Sequence, residues 1–170
     1  PIIDYMEQIT CQKVSILFPG CGMAYEAEFL HKSGFENIHI LDFAEKPLKE
    51  LKSRYPNFPE SNIHIGDFFN HQGQYDLIIE QTFFCAIKPS LREDYVIKCA
   101  ELLKENGKIA GVLFSSEMNK DKPPYGGSIK EYKRLFSSEF TIKTMELCYN
   151  SIPPRAGNEV FIILQKKQIS

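Results

Sequence analysis

Residues 16–30, ILFPGCGMAYEAEFL, decide how the rest of the chain is read. An apolar run, VSILF at 14–18, breaks into Pro-Gly-Cys-Gly and re-forms as AYEAEFLHKS at 24–33. The run has the length and composition of a buried strand. In the second segment Tyr25 and Phe29, and Ala27 and Leu30, stand at helical spacings, and Gly34 closes it. The junction therefore reads as strand–loop–helix. Its loop holds Gly20 and Gly22, which permit a tight turn and the close approach of a ligand. The dinucleotide fingerprint asks for a third glycine at position 25, where this chain has Tyr25. On the loop alone, a plain tight turn stays open.

The pattern repeats outward. NIHILDF at 37–43 reads as a second strand, and AEKPLKELKSRY puts Ala44, Leu48, Leu51 and Tyr55 on one helical face, with Pro47 tolerated in the first turn. NIHIGDFF at 62–69 and YDLIIEQ at 75–81 read as strands three and four. Ser90 and Glu93 have the spacing of a capping box, opening a helix that lines up Leu91, Tyr95, Val96, Cys99, Leu102 and Leu103 and stops at Asn106-Gly107. KIAGVLF at 108–114 is a fifth strand. A polar loop, SSEMNKDKPPYGGS, leads to a helix capped by Ser128 and Glu131. Two strands, 140–149 and 159–165, end the chain with only NSIPPRAGN between them.

Strand–helix alternation to residue 114 predicts a parallel sheet covered by helices. The last two strands predict an antiparallel hairpin. The expected fold is α/β: a Rossmann-like, mostly parallel seven-stranded sheet with a C-terminal antiparallel hairpin and helices on both faces. That is the layout of class I S-adenosylmethionine (SAM) methyltransferases, an analogy that does not by itself give function.

Bulk properties remove other classes. The 170 residues supply one domain with a sizeable core, and 43% hydrophobic with 25% charged residues is ordinary for a globular protein. A net charge of −2 argues against nucleic acid as a partner. No apolar run approaches the roughly 18–20 residues of a membrane span. The five cysteines are odd in number and form no C-x-x-C pair, which fits reduced thiols in a cytoplasmic protein. His31, His39, His64 and His71 show no metal-ligand spacing, so no metal is expected.

Ligands of open α/β sheets bind at the carboxyl ends of the strands. Asp42 lies 20 residues after Gly22, at the end of the second strand, where a carboxylate can accept hydrogen bonds from a ribose hydroxyl pair. Its competing reading is a cap for the next helix. In GDFF, Asp67 suits an adenine amino group and Phe68 can cover the base. Together the three strand ends suit an adenosyl ligand. The fourth strand ends in EQTFFCAIKP, without the (D/N)-P-P-(Y/F) pattern of base amino methylation. Glu80 can compensate a sulfonium cation or hold an ammonium group. Phe83 and Phe84 can exclude water and attract a cation, or simply pack in the core.

FPGCGMAYEAEFL, LDFAEKPL, DFF, YDLIIEQTFFCAIKPSLREDYV, PPYGGS and NSIPPRAGNE together resemble the thiopurine S-methyltransferase family, closest to its bacterial and plant branch of thiol and halide methyltransferases. The resemblance runs from about Val14 to Gln165. It implies SAM, converted to S-adenosylhomocysteine, bound by Gly20, Cys21 and Gly22 with Tyr25 nearby. Asp42 and Phe43 would take the ribose side, Asp67 and Phe68 the adenine, and Glu80 and Gln81 the methionine part. Glu80, Thr82, Phe83 and Arg155 are the implied catalytic set, with Phe84 and Tyr125 as further acceptor-pocket candidates. Arg155 is equally suited to pinning the hairpin through Glu159. Family members carry an N-terminal lid segment, commonly with a Trp; this chain has no Trp and is expected to be a single domain over 1–170 without that lid.

The implied reaction is in-line methyl transfer to a small soft nucleophile, a thiol or a halide, which needs alignment more than a general base. Cys21 and Cys85 read as packing residues rather than nucleophiles. An O- or N-methyltransferase, a SAM-binding module without turnover and a nicotinamide enzyme are the alternatives. The expected partner is a small-molecule acceptor, with the protein a monomer or homodimer.

Overall fold

The computed structural model describes residues 1–168, so the last two residues of the expected 1–170 domain lie outside the description. Among the described residues seven strands form one sheet: β1 (Ile16–Pro19), β2 (Ile38–Asp42), β3 (Ile63–Ile65), β4 (Tyr75–Gln81), β5 (Leu103–Phe114), β6 (Phe140–Leu147) and β7 (Glu159–Lys166). Their spatial order is β3-β2-β1-β4-β5-β7-β6. The first five pair in parallel, and β7 runs antiparallel to both β5 and β6. The order reverses between β1 and β4, which makes that crevice the switch point where open α/β sheets take ligands.

Alternation along the strands sorts the core into two layers, as a parallel sheet buried on both faces requires. Ile16, Phe18, Ile38, Ile40, Leu77 and Ile79 face one layer. It is closed by α1 (Ile2–Met6), α2 (Tyr25–Lys32) and α3 (Glu45–Arg54). Leu17, Leu41, Ile78, Ile109 and Leu113 face the other, closed by α4 (Arg92–Leu102) and α5 (Ile129–Phe136). Tyr95, Tyr132 and Phe136 from these two helices are fully buried. Side chains of this size each contribute about 1.5–3 kcal/mol on burial.

Pro47 sits in the first turn of α3, and the Ser128 hydroxyl caps α5 by accepting the Glu131 N–H at 3.2 Å. Two local expectations are corrected. Pro89 opens a 3₁₀ turn over Pro89–Leu91, so α4 starts at Arg92 with Leu91 as its cap and no side-chain capping bond. Ser90 and Glu93 therefore do not form the capping box. The helix also ends before Asn106-Gly107. Leu103 already pairs with Tyr75 at the start of β5, and the register then jumps to Leu77 opposite Lys108. Asn106, at φ +61, lies inside that bulge. Helix α1 was not read from the sequence. It is a single turn whose Ile2 and Met6 seal the layer beneath α2.

Candidate active site

At the carboxyl ends of β1–β4 lies a cavity of about 610 Å³, well inside the range of small-molecule sites. It is lined by Gly20 after β1, Leu41–Phe43 at the end of β2, Gly66–Phe69 after β3, and Thr82, Phe83 and Ala86–Lys88 after β4, with Leu91 beyond. Seven predicted residues thus meet in one space: Gly20, Asp42, Phe43, Asp67, Phe68, Thr82 and Phe83.

The glycine loop earns its residues from geometry. Gly20 and Gly22 have φ of +57° and +50°, the left-handed region. A Cβ at Gly20 would collide with the Phe83 ring. At Gly22 the space is open, and its N–H donates to Asp42 Oδ2 at 2.9 Å. Asp42 Oδ1 accepts the Ala44 N–H, also at 2.9 Å. Asp42 therefore holds the β1 loop and the entry to α3 together, and two of about four lone-pair positions remain on its carboxylate. Asp67 is exposed and accepts the Phe69 N–H at 3.0 Å on Oδ1. Phe43 is 82% exposed at the cavity mouth, while Phe68 is buried and forms its floor.

The other predicted residues go elsewhere. Tyr25 leaves the cavity: its ring is exposed beneath the Arg54 guanidinium, 4.5 Å away. Phe84 turns into the core against Tyr95, Tyr132 and Phe136. Tyr125 is buried, its N–H donating to the Cys85 carbonyl at 2.7 Å, and lines none of the cavities described here. Glu80 is fully buried behind the strand end. Its Oε1 accepts the N–H groups of Phe83 and Phe84, each at 2.9 Å, and its Oε2 accepts the Tyr95 hydroxyl at 2.7 Å. Burial pushes this carboxyl up to about 7 against those hydrogen bonds. It reaches neither the large cavity nor the smaller ones.

Cys21, Gln81, Thr82 and Arg155 line a separate cavity of about 140 Å³ between β1, β4 and the β6–β7 loop. Thr82, in the left-handed region at φ +64°, borders both spaces. Glu26, which sequence reasoning missed, lines the small cavity and accepts the Gln81 Nε2–H at 2.9 Å. A signal was present: an acid in the first turn of the helix that follows a glycine loop. It reads equally well as a partner of the helix dipole. Glu26, Gln81 and Arg155 also border a third space of about 170 Å³ with Ile2, Ile3 and Ile152. Arg155 faces both small cavities while pairing with the buried Glu159 at 3.4 Å. Its two sequence readings are thus compatible.

Burial drives the Cys21 thiol up to about 12 and the Cys85 thiol up to about 11, leaving both uncharged near neutrality. Among the described residues no group of three or more His, Cys, Asp or Glu is arranged to hold a metal ion.

The family model of thiopurine S-methyltransferase matches residues 1–166. The chain belongs to the thiopurine S-methyltransferase family. Among curated relatives, the probable thiol methyltransferase 2 of Arabidopsis thaliana is 27% identical over 70% of this chain and 54% of its own length. Thiocyanate methyltransferase 1 of the same plant is 27% identical over 84% of this chain and 65% of its own. The chain thus spans about half to two thirds of these relatives. Among solved structures, a SAM-dependent methyltransferase of Methanosarcina mazei has a TM-score of 0.78 at 14% identity, covering all of this chain and 98% of that one. The 1,6-didemethyltoxoflavin-N1-methyltransferase of Burkholderia thailandensis, with bound S-adenosylhomocysteine, has a TM-score of 0.72 at 15% identity, covering 92% of this chain and 72% of that one. The fold is the class I SAM-dependent methyltransferase fold.

Proposed function

We propose that this family member is a SAM-dependent methyltransferase acting on a small soft nucleophile, a thiol or a halide-like anion. The observation that carries the reading is the cavity at the sheet's switch point, where Asp42 and Asp67 present carboxylate oxygens beside a glycine loop in left-handed conformation. The residues suit an adenosyl group: acceptors for ribose hydroxyls at Asp42, an acceptor for an amino group at Asp67, and apolar cover from Phe43 and Phe68. Cys21 and Gln81 fall on the methionine side, where Glu26 adds a carboxylate suited to an ammonium group.

When bound, SAM would supply an electrophilic methyl carried on a sulfonium sulfur, transferable to the acceptor with the electron pair of the former carbon–sulfur bond left on the cofactor. The protein's own part is alignment and exclusion of water. Thr82 borders both the cofactor space and the small cavity, and the Phe83 ring lines the cofactor space. Arg155 supplies a cation on the acceptor side, which attracts a thiolate or small anion and lowers the cost of ionising a thiol. The uncharged Cys21 and Cys85 favour direct transfer over a covalent enzyme intermediate.

The reading calls for a small-molecule partner and a monomeric or homodimeric cytoplasmic protein. The near-neutral net charge of −2 argues against nucleic acid, and among the described residues no helix is long and apolar enough to cross a membrane. The test is incubation of the purified chain with SAM and a panel of thiols, halides and thiocyanate. Formation of S-adenosylhomocysteine with an S-methyl or halomethane product is expected. An O–CH₃ or N–CH₃ product would change the acceptor class. SAM binding without turnover on any acceptor would leave a binding module.

A further inference from the structure

We infer that Glu80 is a positioning residue that shapes the cofactor wall from inside the core. The inference rests on the reading of the large cavity as the cofactor's seat. The pleat of β4 sends Glu80 to the side of Ile78, toward α4, and away from the crevice. There it is fully buried, and each carboxylate oxygen has a partner. Oε1 gathers the N–H groups of Phe83 and Phe84, both at 2.9 Å, and Oε2 takes the Tyr95 hydroxyl of α4 at 2.7 Å. One side chain thus ties the turn leaving β4 to a helix on the opposite side of the core from α2.

That turn needs a tie. It begins with Thr82 at φ +64°, a conformation a β-branched residue holds only when its surroundings fix it. It then divides two neighbouring aromatic rings: Phe83 goes to Gly20 and to Phe68, 5.2 Å away between ring centroids, while Phe84 goes into the core. Without an acceptor behind them the two amides would be left unpaired in the interior. Glu80 therefore touches no ligand, yet it decides where Thr82 and Phe83 stand.

The experiment compares the wild-type chain with Glu80→Gln, Glu80→Ala and Tyr95→Phe. Calorimetry gives the SAM Kd, and amide hydrogen exchange at Phe83 and Phe84 is read without ligand. Gln keeps an oxygen for both amides, so their protection survives and Kd stays within about threefold of wild type. Glu80→Ala loses the protection and raises Kd at least about tenfold, with Tyr95→Phe between. Should Glu80→Ala not fold, the Gln and Tyr95→Phe variants decide. Protected amides in Glu80→Gln with SAM binding weakened at least about tenfold would overturn the inference, because the charge itself would then act on the cofactor. So would amides in Glu80→Ala, or in Tyr95→Phe if Ala fails, that exchange as slowly as in wild type. A wild-type chain that binds no SAM defeats the cofactor reading alone; the exchange data still decide whether Glu80 holds the turn.

Discussion

The two halves of the sheet's carboxyl edge are built differently. On one side there is an open space of about 610 Å³, walled by the ends of β1 and β2 and the segments that follow β3 and β4. Toward the hairpin there are cavities of about 140 and 170 Å³, where Glu26 of α2, Gln81 of β4 and Arg155 of the β6–β7 loop meet among apolar neighbours such as Ile79 and Ile152. The first half is preformed by local backbone geometry. The second depends on the meeting of segments more than a hundred residues apart, Glu26 and Arg155 among them. A shape set by strand ends suits the adenosyl part of an invariant cofactor; the side chains that meet beyond Thr82, beside its methionine end, are easily retuned, which suits an acceptor that differs from one relative to the next.

The strongest way to break the first half is Gly20→Ala. The left-handed backbone disfavours any Cβ by about 1–2 kcal/mol, and the collision with Phe83 adds an overpacking cost of about 1–3 kcal/mol. Urea denaturation should show a loss of about 2–5 kcal/mol, with SAM binding lost. Full SAM affinity at wild-type stability would mean that the loop is not rigid in the way its geometry requires.

Asp42→Ala comes next. It removes the acceptors assigned to the ribose and the tie to the Gly22 and Ala44 amides. Hydrogen bonds to a charged group are worth about 1.5–3 kcal/mol, so Kd for SAM should rise about 10–100-fold by calorimetry. The acceptor KM at saturating SAM should not move. Arg155→Ala should do the reverse at the other half: acceptor kcat/KM falls about tenfold, within the reach of one lost charge contact, and SAM Kd stays within about twofold. If Arg155→Ala weakened SAM as much as acceptor, the two halves would be one site.

The glycine loop, Asp42 and GDFF were legible because each sits where a strand ends, and a strand end fixes backbone position. What failed was side-chain direction and long-range convergence. Glu80 and Gln81 are adjacent in a motif, and the resemblance places both beside the cofactor. The period-two pleat puts them on opposite faces, Glu80 with Ile78 and Gln81 with Ile79. Phe83 and Phe84 part for a similar reason once Thr82 reverses the backbone. The pleat was available in the sequence; the left-handed Thr82 was not. Glu26 was hidden because its role exists only once α2 is laid against β4.

The smallest expected effect concerns the outer flank of the cofactor half. The four histidines have no ligand spacing in sequence, yet parallel pairing of β2 with β3 brings three together. His39 Nδ1 lies 3.0 Å from His64 Nε2, the His64 and His71 rings are 4.8 Å apart, and His71 Nε2 lies 2.8 Å from the Tyr75 hydroxyl. Burial first, then the neighbouring histidines and Lys98, lower His71 to about 4. His39 and His64 are lowered too, chiefly by burial. In the unfolded chain these groups protonate near 6.5, so between about 6.5 and 4 the unfolded state binds more protons. The stability they contribute is complete above about 6.5 and is lost as the pH falls toward 4. Thermal melts from pH 7.5 to 4.5 should show Tm declining on acidification, and the decline should shrink in His71→Gln. His71 directly follows the Phe68–Asn70 turn at the cavity floor, so SAM affinity should weaken over the same range. The acceptor side lies away from these histidines, so acceptor KM should change less. A Tm profile unaltered by His71→Gln would take the acid sensitivity away from His71, leaving it to His39, His64 or the carboxylates, and separate His71 from the site it borders.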